Sequence, residues 1–139
     1  PISVGSRQDW FLAHSPLTHP LRVIEERMRV VAWASVQPFA PAAAFARTVE
    51  ASVYVAPEAQ GRGLGTLMLR TILSRCADVG VEVVLGFAFA HNEATLRLNH
   101  RIGFAEWGRL HGVARLDGLD RDLIIFGIKV GPLRLKDER

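Results

Sequence analysis

A glycine-rich hexapeptide is the segment whose residue types and spacing most clearly indicate chemistry, Gln60-Gly61-Arg62-Gly63-Leu64-Gly65. It follows an apolar run that Pro57 closes, and an amphipathic stretch, 66–78, begins directly after it. The order predicts a strand, a tight turn and a helix. The first turn of a helix has backbone N–H groups without partners, and the helix dipole favours negative charge there. The segment therefore predicts a phosphate site, which glycines leave open because they lack a Cβ.

Two familiar phosphate loops have a different spacing. A Walker A loop requires Lys and then Ser or Thr after its last glycine, where this chain has Thr66 and Leu67. A dinucleotide-binding fingerprint requires a glycine at position 66 and an acidic residue that closes a second strand, whereas Glu82 precedes its strand. The pattern that remains is Gln/Arg-x-x-Gly-x-Gly/Ala, and the alternative is a glycine-rich turn without a ligand.

A second candidate is Glu50, an acid within the mostly apolar run 48–55. A carboxylate among apolar neighbours needs a partner or a function, because its desolvation is costly. In a partly desolvated site, a carboxylate acting through a water can take a proton from an ammonium group. The alternative is a glutamate on the face of a strand that pairs with Arg47 or another arginine.

Composition predicts one domain, 1–139, large enough to bury a core without disulfides. The net charge of +3 is spread along the chain without a basic cluster, which argues against a nucleic-acid partner. A lone cysteine, Cys76, and the lack of a signal peptide or an 18-residue apolar span favour a cytoplasmic protein without a membrane segment. The histidines have no ligand spacing, so no metal site is expected.

The apolar periodicity predicts helices that alternate with strands, hence an α/β fold. A short helix begins near Ser6, and a helix over 64–79 carries the apolar stripe Leu64, Met68, Ile72, Cys76 and Val79. A third helix covers 92–102 and ends at Gly103. The predicted strands are 21–25, 30–36, 48–55, 81–90, 105–114 and 122–130.

Four segments in order resemble the GNAT acetyltransferase superfamily, and specifically its phosphinothricin acetyltransferase branch. They are Thr48-Val-Glu-Ala-Ser-Val-Tyr-Val55, the loop from Pro57 to Gly65, Asn92-x-x-Thr95-x-x-Leu98 with Gly103-Phe104 behind it, and Gly108-x-Leu110 with Asp122. The resemblance runs over about 30–130. It implies the GNAT fold, a mixed and mostly antiparallel sheet flanked by helices. The family normally begins with a strand and a helix ahead of the helix placed at Ser6, and we expect these two elements to be absent from residues 1–139.

The resemblance implies acetyl-CoA as cosubstrate and assigns residues to it. The main chain of Val53 and Val55 would pair with the pantetheine arm, and one of these N–H groups would face the thioester oxygen. Asn92 would cap its helix and touch the same arm. The diphosphate would be held by the loop Gln60, Gly61, Arg62, Gly63, Leu64, Gly65 and Thr66; for Arg62 the alternative is a solvent-exposed side chain.

The catalytic assignments are Glu50 as general base and Asn99 at the position of the family's proton donor. The branch has His at that position and many GNAT enzymes have Tyr, and an asparagine cannot donate a proton at neutral pH. His100 is rotated by about 100° around the helix and so points elsewhere. Trp33, Phe39 and Arg47 are candidate substrate-binding residues, although each is equally compatible with a surface or core position.

The resemblance implies a homodimeric N-acetyltransferase that acts on the primary amine of a small molecule, an amino acid or an analogue such as phosphinothricin or methionine sulfoximine. A GNAT enzyme for another amine is the alternative: a polyamine, an aminoglycoside or a protein N-terminus. The substitution at Asn99 leaves a third possibility open, a non-catalytic acyl-CoA-binding sensor. The amine is the weakest part of the prediction, because residues 42–45 lack the branch's arginine and Asp120 replaces its tryptophan.

Overall fold

The structure, a computed structural model, describes residues 8–14 and 19–131. Its helices are α1 (Gln8–Leu12), α2 (Leu64–Asp78) and α3 (Glu93–Ile102), with short 3₁₀ turns at Ala43–Phe45 and Pro57–Ala59. Its strands are β1 (Leu21–Glu26), β2 (Arg29–Pro38), β3 (Thr48–Val55), β4 (Val83–Phe89), β5 (Ala105–Leu116) and β6 (Leu119–Lys129). The predicted order of elements is confirmed; Ser6, the predicted start of the first helix, lies outside the described residues.

The strands form one six-stranded sheet in the order β1-β2-β3-β4-β6-β5. Every neighbouring pair is antiparallel except β3 and β4, which are parallel. A parallel pair needs a crossover connection, and α2 supplies it. The predicted α/β class, with a mixed and mostly antiparallel sheet flanked by helices, is confirmed.

The parallel pair is short, and its shortness creates the site. The ladder between β3 and β4 contains the pairs Thr48–Val83, Val49–Val84 and Glu50–Leu85. β3 then continues to Val55 and β4 to Phe89 without pairing to each other. The two strands therefore separate beyond Glu50 and leave an opening in the middle of the sheet.

The main core lies between α2 and the sheet. Met68, Ile72 and Cys76 of the predicted stripe are buried there, while Leu64 and Val79 are half-buried. Their partners include Val36, Val49, Val84 and Phe126, each 2% exposed or less. Burial of this apolar surface fixes α2 across the sheet, and so fixes the position of the glycine turn that precedes it.

Several predicted strand boundaries are wrong. β4 begins at Val83 rather than 81, because the N–H of Val81 donates to the Cys76 carbonyl and that of Glu82 to the Arg47 carbonyl. The last hairpin is longer than predicted, since β5 extends to Leu116 and β6 begins at Leu119. Asp117 and Gly118 form its turn with φ of +52° and +75°. Asp-Gly is the residue pair that such a two-residue turn favours.

Candidate active site

A cavity of about 720 Å³ occupies the opening between β3 and β4. Its walls come from β3 on one side and from α3 on the other, with the glycine turn at one end. Both faces of the sheet contribute, since consecutive residues from Glu50 to Val55 line it. The complete lining is Glu50, Ala51, Ser52, Val53, Tyr54, Val55, Ala59, Gln60, Gly61, Gly63, Leu64, Gly65, Thr66, Leu69, Gly86, Phe87, Asn92, Ala94, Thr95, Leu98, Asn99, Arg101 and Phe104.

The glycine turn has two kinds of glycine. Gly61 and Gly63 both have φ of +77°, a conformation that residues with a Cβ rarely adopt, and a Cβ on either would face open space. Gly65 has another role, since a Cβ there would lie 3.3 Å from Leu98 Cδ2, where α2 meets α3. Gly63 caps α2 without a side-chain hydrogen bond. The N–H groups of the first turn therefore remain available to an anion.

The main chain of β3 presents polar groups to the opening. The Ala56 N–H donates to the Val31 carbonyl, and the Phe39 N–H donates to the Thr48 carbonyl. Even-numbered positions of β3 thus bond to β2, and the alternation of an antiparallel ladder directs Val53 and Val55 toward the opening. The Gln60 side chain supports this register, because its Nε2 donates to the Val55 carbonyl over 3.3 Å.

Asn92 both caps a helix and lines the cavity. Its Oδ1 accepts a hydrogen bond of 3.2 Å from the Thr95 N–H, so it caps α3 as predicted. Asn92 also lines the cavity. The cap fixes the start of α3 against the opening, and Gly103, with φ of +109°, ends the same helix.

Glu50 is the acidic side chain that lines the cavity. It is half-buried at the last rung of the β3–β4 ladder, opposite Leu85. Arg47, the partner considered from the sequence, instead donates to Glu82 over 2.9 Å. Within 8–14 and 19–131, no residue forms an ion pair with Glu50. This carboxylate is therefore free to accept a proton from a molecule in the cavity.

Asn99 lies on α3 with 7% of its surface exposed, and it lines the cavity from the side opposite β3. His100 is exposed and absent from the lining; its ring is edge-on to Phe126 with centroids 5.5 Å apart. The structure thus places the two neighbours as the helical rotation predicted. The described cavity wall contains no imidazole or phenol at the position of Asn99.

Four predicted site residues do not line the described cavity. Arg62 points away from it, since both of its Nη atoms bond to Glu26 on β1. Arg47 is held by Glu82. Phe39 lies edge-on to Phe45 with ring centroids 5.4 Å apart. Trp33 stacks on Tyr54 at 6.0 Å, so it adjoins a residue of the wall without lining the cavity itself.

Comparison with known proteins decides which family has this site. Residues 2–104 match the Acetyltransferase (GNAT) family. The chain belongs to the GNAT acetyltransferase family. YwnH of Bacillus subtilis (strain 168) is 36% identical over 128 residues, 91% of this chain and 78% of that protein. The L-methionine sulfoximine/L-methionine sulfone acetyltransferase of Pseudomonas aeruginosa PAO1 is 30% identical over 135 residues. The match covers 96% of this chain and 78% of that protein.

The structural comparison agrees with this assignment. The yncA structure from Salmonella typhimurium, determined with its cofactor acetyl-CoA, superposes with a TM-score of 0.90 at 29% identity. The match covers 99% of this chain and 80% of that chain. The predicted enzyme class is confirmed: the chain is an acetyltransferase, and acetyl-CoA is the acetyl donor of its family.

The GNAT site fits acetyl-CoA by its own geometry. Gly61 and Gly63 leave open space where a Cβ would stand, beside the first turn of α2, whose N–H groups donate to no capping side chain in the described structure. The main chain of Val53 and Val55 faces a channel long enough to contact six consecutive residues of β3. An anionic head group and an extended amide-bearing arm therefore have matching partners in one continuous cavity.

The wall of the GNAT cavity also includes a basic side chain that was not identified from the sequence. Arg101, in the last turn of α3, is the one basic residue of the lining in the described part of the chain. The sequence does contain a signal for this position. Arg101 follows Leu98, a residue of the family motif, by three positions and so lies on the same side of the helix. Leu98 in turn contacts the turn glycine Gly65.

A carboxylate fixes the irregular part of the β5–β6 hairpin. Asp122 accepts the Gly112 N–H and the Arg109 Nη1, each over 2.9 Å. The pKa of Asp122 is lowered mainly by the hydrogen bond from Gly112, and further by the one from Arg109. Both bonds lie where the register shifts between Leu110 and Ala114. Asp122, one of the residues on which the family resemblance rests, therefore stabilises a bulge at the rim of the sheet.

Cys76 is predicted to resist thiol reagents in the folded GNAT domain. It is fully buried on α2, and burial raises the pKa of its thiol to about 11 from 9.0. Ellman's reagent at pH 8 should label it only after denaturation. Because burial disfavours the thiolate in the folded state, this thiol should lower the free energy of unfolding as the pH rises from 9 toward 11. Chemical denaturation of wild type and Cys76→Ala from pH 8 to 11 measures this pH dependence of the free energy of unfolding. Labelling of the native protein by Ellman's reagent would contradict the predicted resistance of the thiol.

Two further findings concern the described residues alone. They contain no cluster of three or more His, Cys, Asp and Glu side chains that could bind a metal. They also contain no helix long and apolar enough to cross a membrane.

Proposed function

We propose that this acetyltransferase transfers the acetyl group of acetyl-CoA to the primary amine of an amino acid or a close analogue, such as methionine sulfoximine or phosphinothricin. The observation that carries the proposal is Glu50, a carboxylate without an ion-pair partner in the described structure, at the point where β3 and β4 separate. The names of the relatives support the substrate class, because one acetylates L-methionine sulfoximine and L-methionine sulfone.

The glycine turn and α3 would hold the cosubstrate. The N–H groups from Gly63 to Thr66 converge at the start of α2, where they suit a diphosphate. Val53 and Val55 offer main-chain partners to the pantetheine arm, and Asn92 and Arg101 complete the wall on the side of α3. When bound, acetyl-CoA supplies an acetyl group activated as a thioester.

Glu50 acts as the general base. It takes a proton from the substrate ammonium through a water, and the free amine then attacks the thioester carbonyl. The developing negative charge on the carbonyl oxygen is stabilised by a main-chain N–H of β3, with Val53 as the candidate. The proton, the amine and the carbonyl meet in the opening because it connects both faces of the sheet.

Asn99 does not supply the final proton. Its amide has no acidic proton at neutral pH, and a coenzyme A thiolate is a good leaving group that water can protonate. Asn99 shapes the wall near the leaving sulfur, where its buried amide can form hydrogen bonds. An enzyme with this residue remains competent, with the base rather than the acid as its decisive group.

In this proposal, the acceptor amine is influenced indirectly by three residues that do not line the cavity, Trp33, Phe39 and Arg47. Trp33 supports the wall through its stacking on Tyr54, which lines the cavity. Arg47 and Phe39 flank the connection between β2 and β3, on the approach to Glu50. They would influence the acceptor through the shape of this connection.

We further propose that the enzyme is a cytoplasmic homodimer. The free, buried thiol of Cys76 suits a reducing compartment. The β5–β6 hairpin exposes apolar side chains that a second copy would cover; they are Leu110, Val113, Leu116 and Leu119. Light scattering of the purified protein distinguishes a monomer from a dimer.

A screen of acceptor amines tests the proposed function. Thiol release from acetyl-CoA should appear with methionine sulfoximine, methionine sulfone or phosphinothricin at least tenfold faster than with spermidine, an aminoglycoside or an N-terminal peptide. Wild-type protein without amine provides the background, which Cys76 does not raise if it is unreactive as predicted. A preference for one of the other amines would identify the alternative enzyme. Saturable acetyl-CoA binding without thiol release across the panel would instead support the non-catalytic sensor.

A further inference from the structure

The end of the β1–β2 hairpin contacts the glycine turn and the residues just before it through two ion pairs. Glu26, the last residue of β1, binds both Nη atoms of Arg62; the bond between Oε2 and Nη1 is 3.0 Å. Arg29, the first residue of β2, donates to Glu58 Oε1 over 3.2 Å. The hairpin contributes one acid and one base, Glu26 and Arg29. The segment 58–62 contributes the opposite charge to each pair, Arg62 and Glu58. We call these four residues the hairpin clamp.

An apolar contact lies directly beneath the hairpin clamp. Val31, Ala56 and Ala59 form a small buried cluster beside the main core, and Leu64 packs against both. The Ala56 N–H also donates to the Val31 carbonyl over 2.8 Å. The start of β2 and the segment leading into the glycine turn are therefore already held together, and the ion pairs extend this contact to residue 62.

Residue 62 is the position where an anchor has the largest effect. It stands between Gly61 and Gly63, the two residues with φ of +77°, and glycine loses more conformational freedom on ordering than any other residue. A bidentate guanidinium–carboxylate pair fixes orientation as well as distance. Holding Arg62 thus restricts both glycines and keeps the following N–H groups directed at one point.

A tight two-residue turn fixes the relative position of the two hairpin residues in the clamp. Its two turn residues, Arg27 and Met28, have φ of +49° and +62° without being glycine. A two-residue hairpin turn of type I′ has positive φ at both central residues, and it sets Glu26 and Arg29 directly opposite each other. These two flanking residues form the ion pairs, Glu26 with Arg62 of the glycine turn and Arg29 with Glu58 just before it.

We propose that the hairpin clamp holds the glycine turn in its phosphate-binding conformation, with Glu26 as a positioning residue for coenzyme A. This inference rests on the proposed use of acetyl-CoA. Arg62 is then an anchor rather than a phosphate ligand, consistent with its absence from the cavity wall. Arg101, which does line the cavity, is the cation available to the cosubstrate.

The test compares Glu26→Gln with wild type and with Glu25→Gln, a neighbouring exposed carboxylate that forms no ion pair within the described structure. Calorimetric titration should show a Kd for coenzyme A raised about two- to fivefold in Glu26→Gln alone, as expected for an exposed ion pair. The KM for acetyl-CoA should rise equally, while kcat and the KM for the amine stay within twofold. S-acetylpantetheine, which lacks the diphosphate, should show no difference.

Each other outcome would overturn the inference. Tighter coenzyme A binding by Glu26→Gln would show that Glu26 withholds Arg62 from the phosphates. An unchanged Kd would reduce the clamp to a passive surface contact, and an equal loss with S-acetylpantetheine would indicate general destabilisation. Failure of the proposed amine substrates is distinguishable, because the coenzyme A titration needs no acceptor. Wild-type protein that does not bind coenzyme A at all would refute the proposed function itself.

Discussion

Glu50→Gln is expected to lower kcat by about 10²- to 10⁴-fold, the contribution typical of a general base. The glutamine keeps the size of the side chain and one acceptor oxygen but cannot accept the proton of the ammonium substrate. Because Glu50 lies at the far end of the cavity from the glycine turn, the Kd for acetyl-CoA should change less than twofold. Stopped-time thiol release at saturating amine, together with calorimetric titration of coenzyme A, measures both quantities.

The loss in Glu50→Gln should shrink at high pH, where the amine is already deprotonated. Glu106→Gln is the matched control, because this exposed carboxylate of β5 does not line the cavity. Asn99→Ala provides the second comparison and should retain kcat within about fivefold, since Asn99 donates no proton. A large loss in Asn99→Ala with little loss in Glu50→Gln would reverse the assigned roles.

Gly63→Asp is expected to weaken coenzyme A binding by at least tenfold relative to Gly63→Asn. Both side chains tolerate the left-handed conformation of residue 63, so the two variants share any backbone strain. They differ by one negative charge at the start of α2, close to where the diphosphate would lie. Two unit charges about 5 Å apart repel by roughly 1 kcal/mol even in water, and a diphosphate carries more than one charge.

Salt and a truncated donor separate the electrostatic effect from a steric one. The difference between Gly63→Asp and Gly63→Asn should narrow at 1 M salt, where the Debye length is about 3 Å. S-acetylpantetheine should bind both variants equally. Equal coenzyme A affinities for the two variants would place the diphosphate elsewhere in the cavity.

The sequence predicted the parts of this fold that depend on local periodicity. The stripe through Met68, Ile72 and Cys76 marked the buried face of α2, because helical spacing alone sets that face. Asn92 could be identified as a cap because an asparagine directly before a helix can accept a hydrogen bond from a first-turn N–H group. The length of the last hairpin could also have been predicted, since Asp117-Gly118 is a strong turn signal between two apolar residues.

The surroundings of the charged residues could not be predicted. Arg62 has the spacing of a phosphate ligand, but its orientation depends on Glu26, which is 36 positions earlier in the chain. Arg47 pairs with Glu82 rather than Glu50 because the crossover brings β4 beside the start of β3. Ion pairs of this kind follow from tertiary packing, and their energies are too small to leave a pattern in the sequence.

The opening in the sheet has a consequence for the lifetime of the protein. Within the sheet, the half made of β1, β2 and β3 is joined to the half made of β4, β6 and β5 by the three rungs that end at Glu50. A ligand along Val53 and Val55 would add bonds across this seam in the folded state alone. Mass action then raises the free energy of unfolding with ligand concentration, by RT ln(1 + [L]/Kd). The acetyl-CoA level of the cell would thus help to set how long each folded molecule escapes proteolysis.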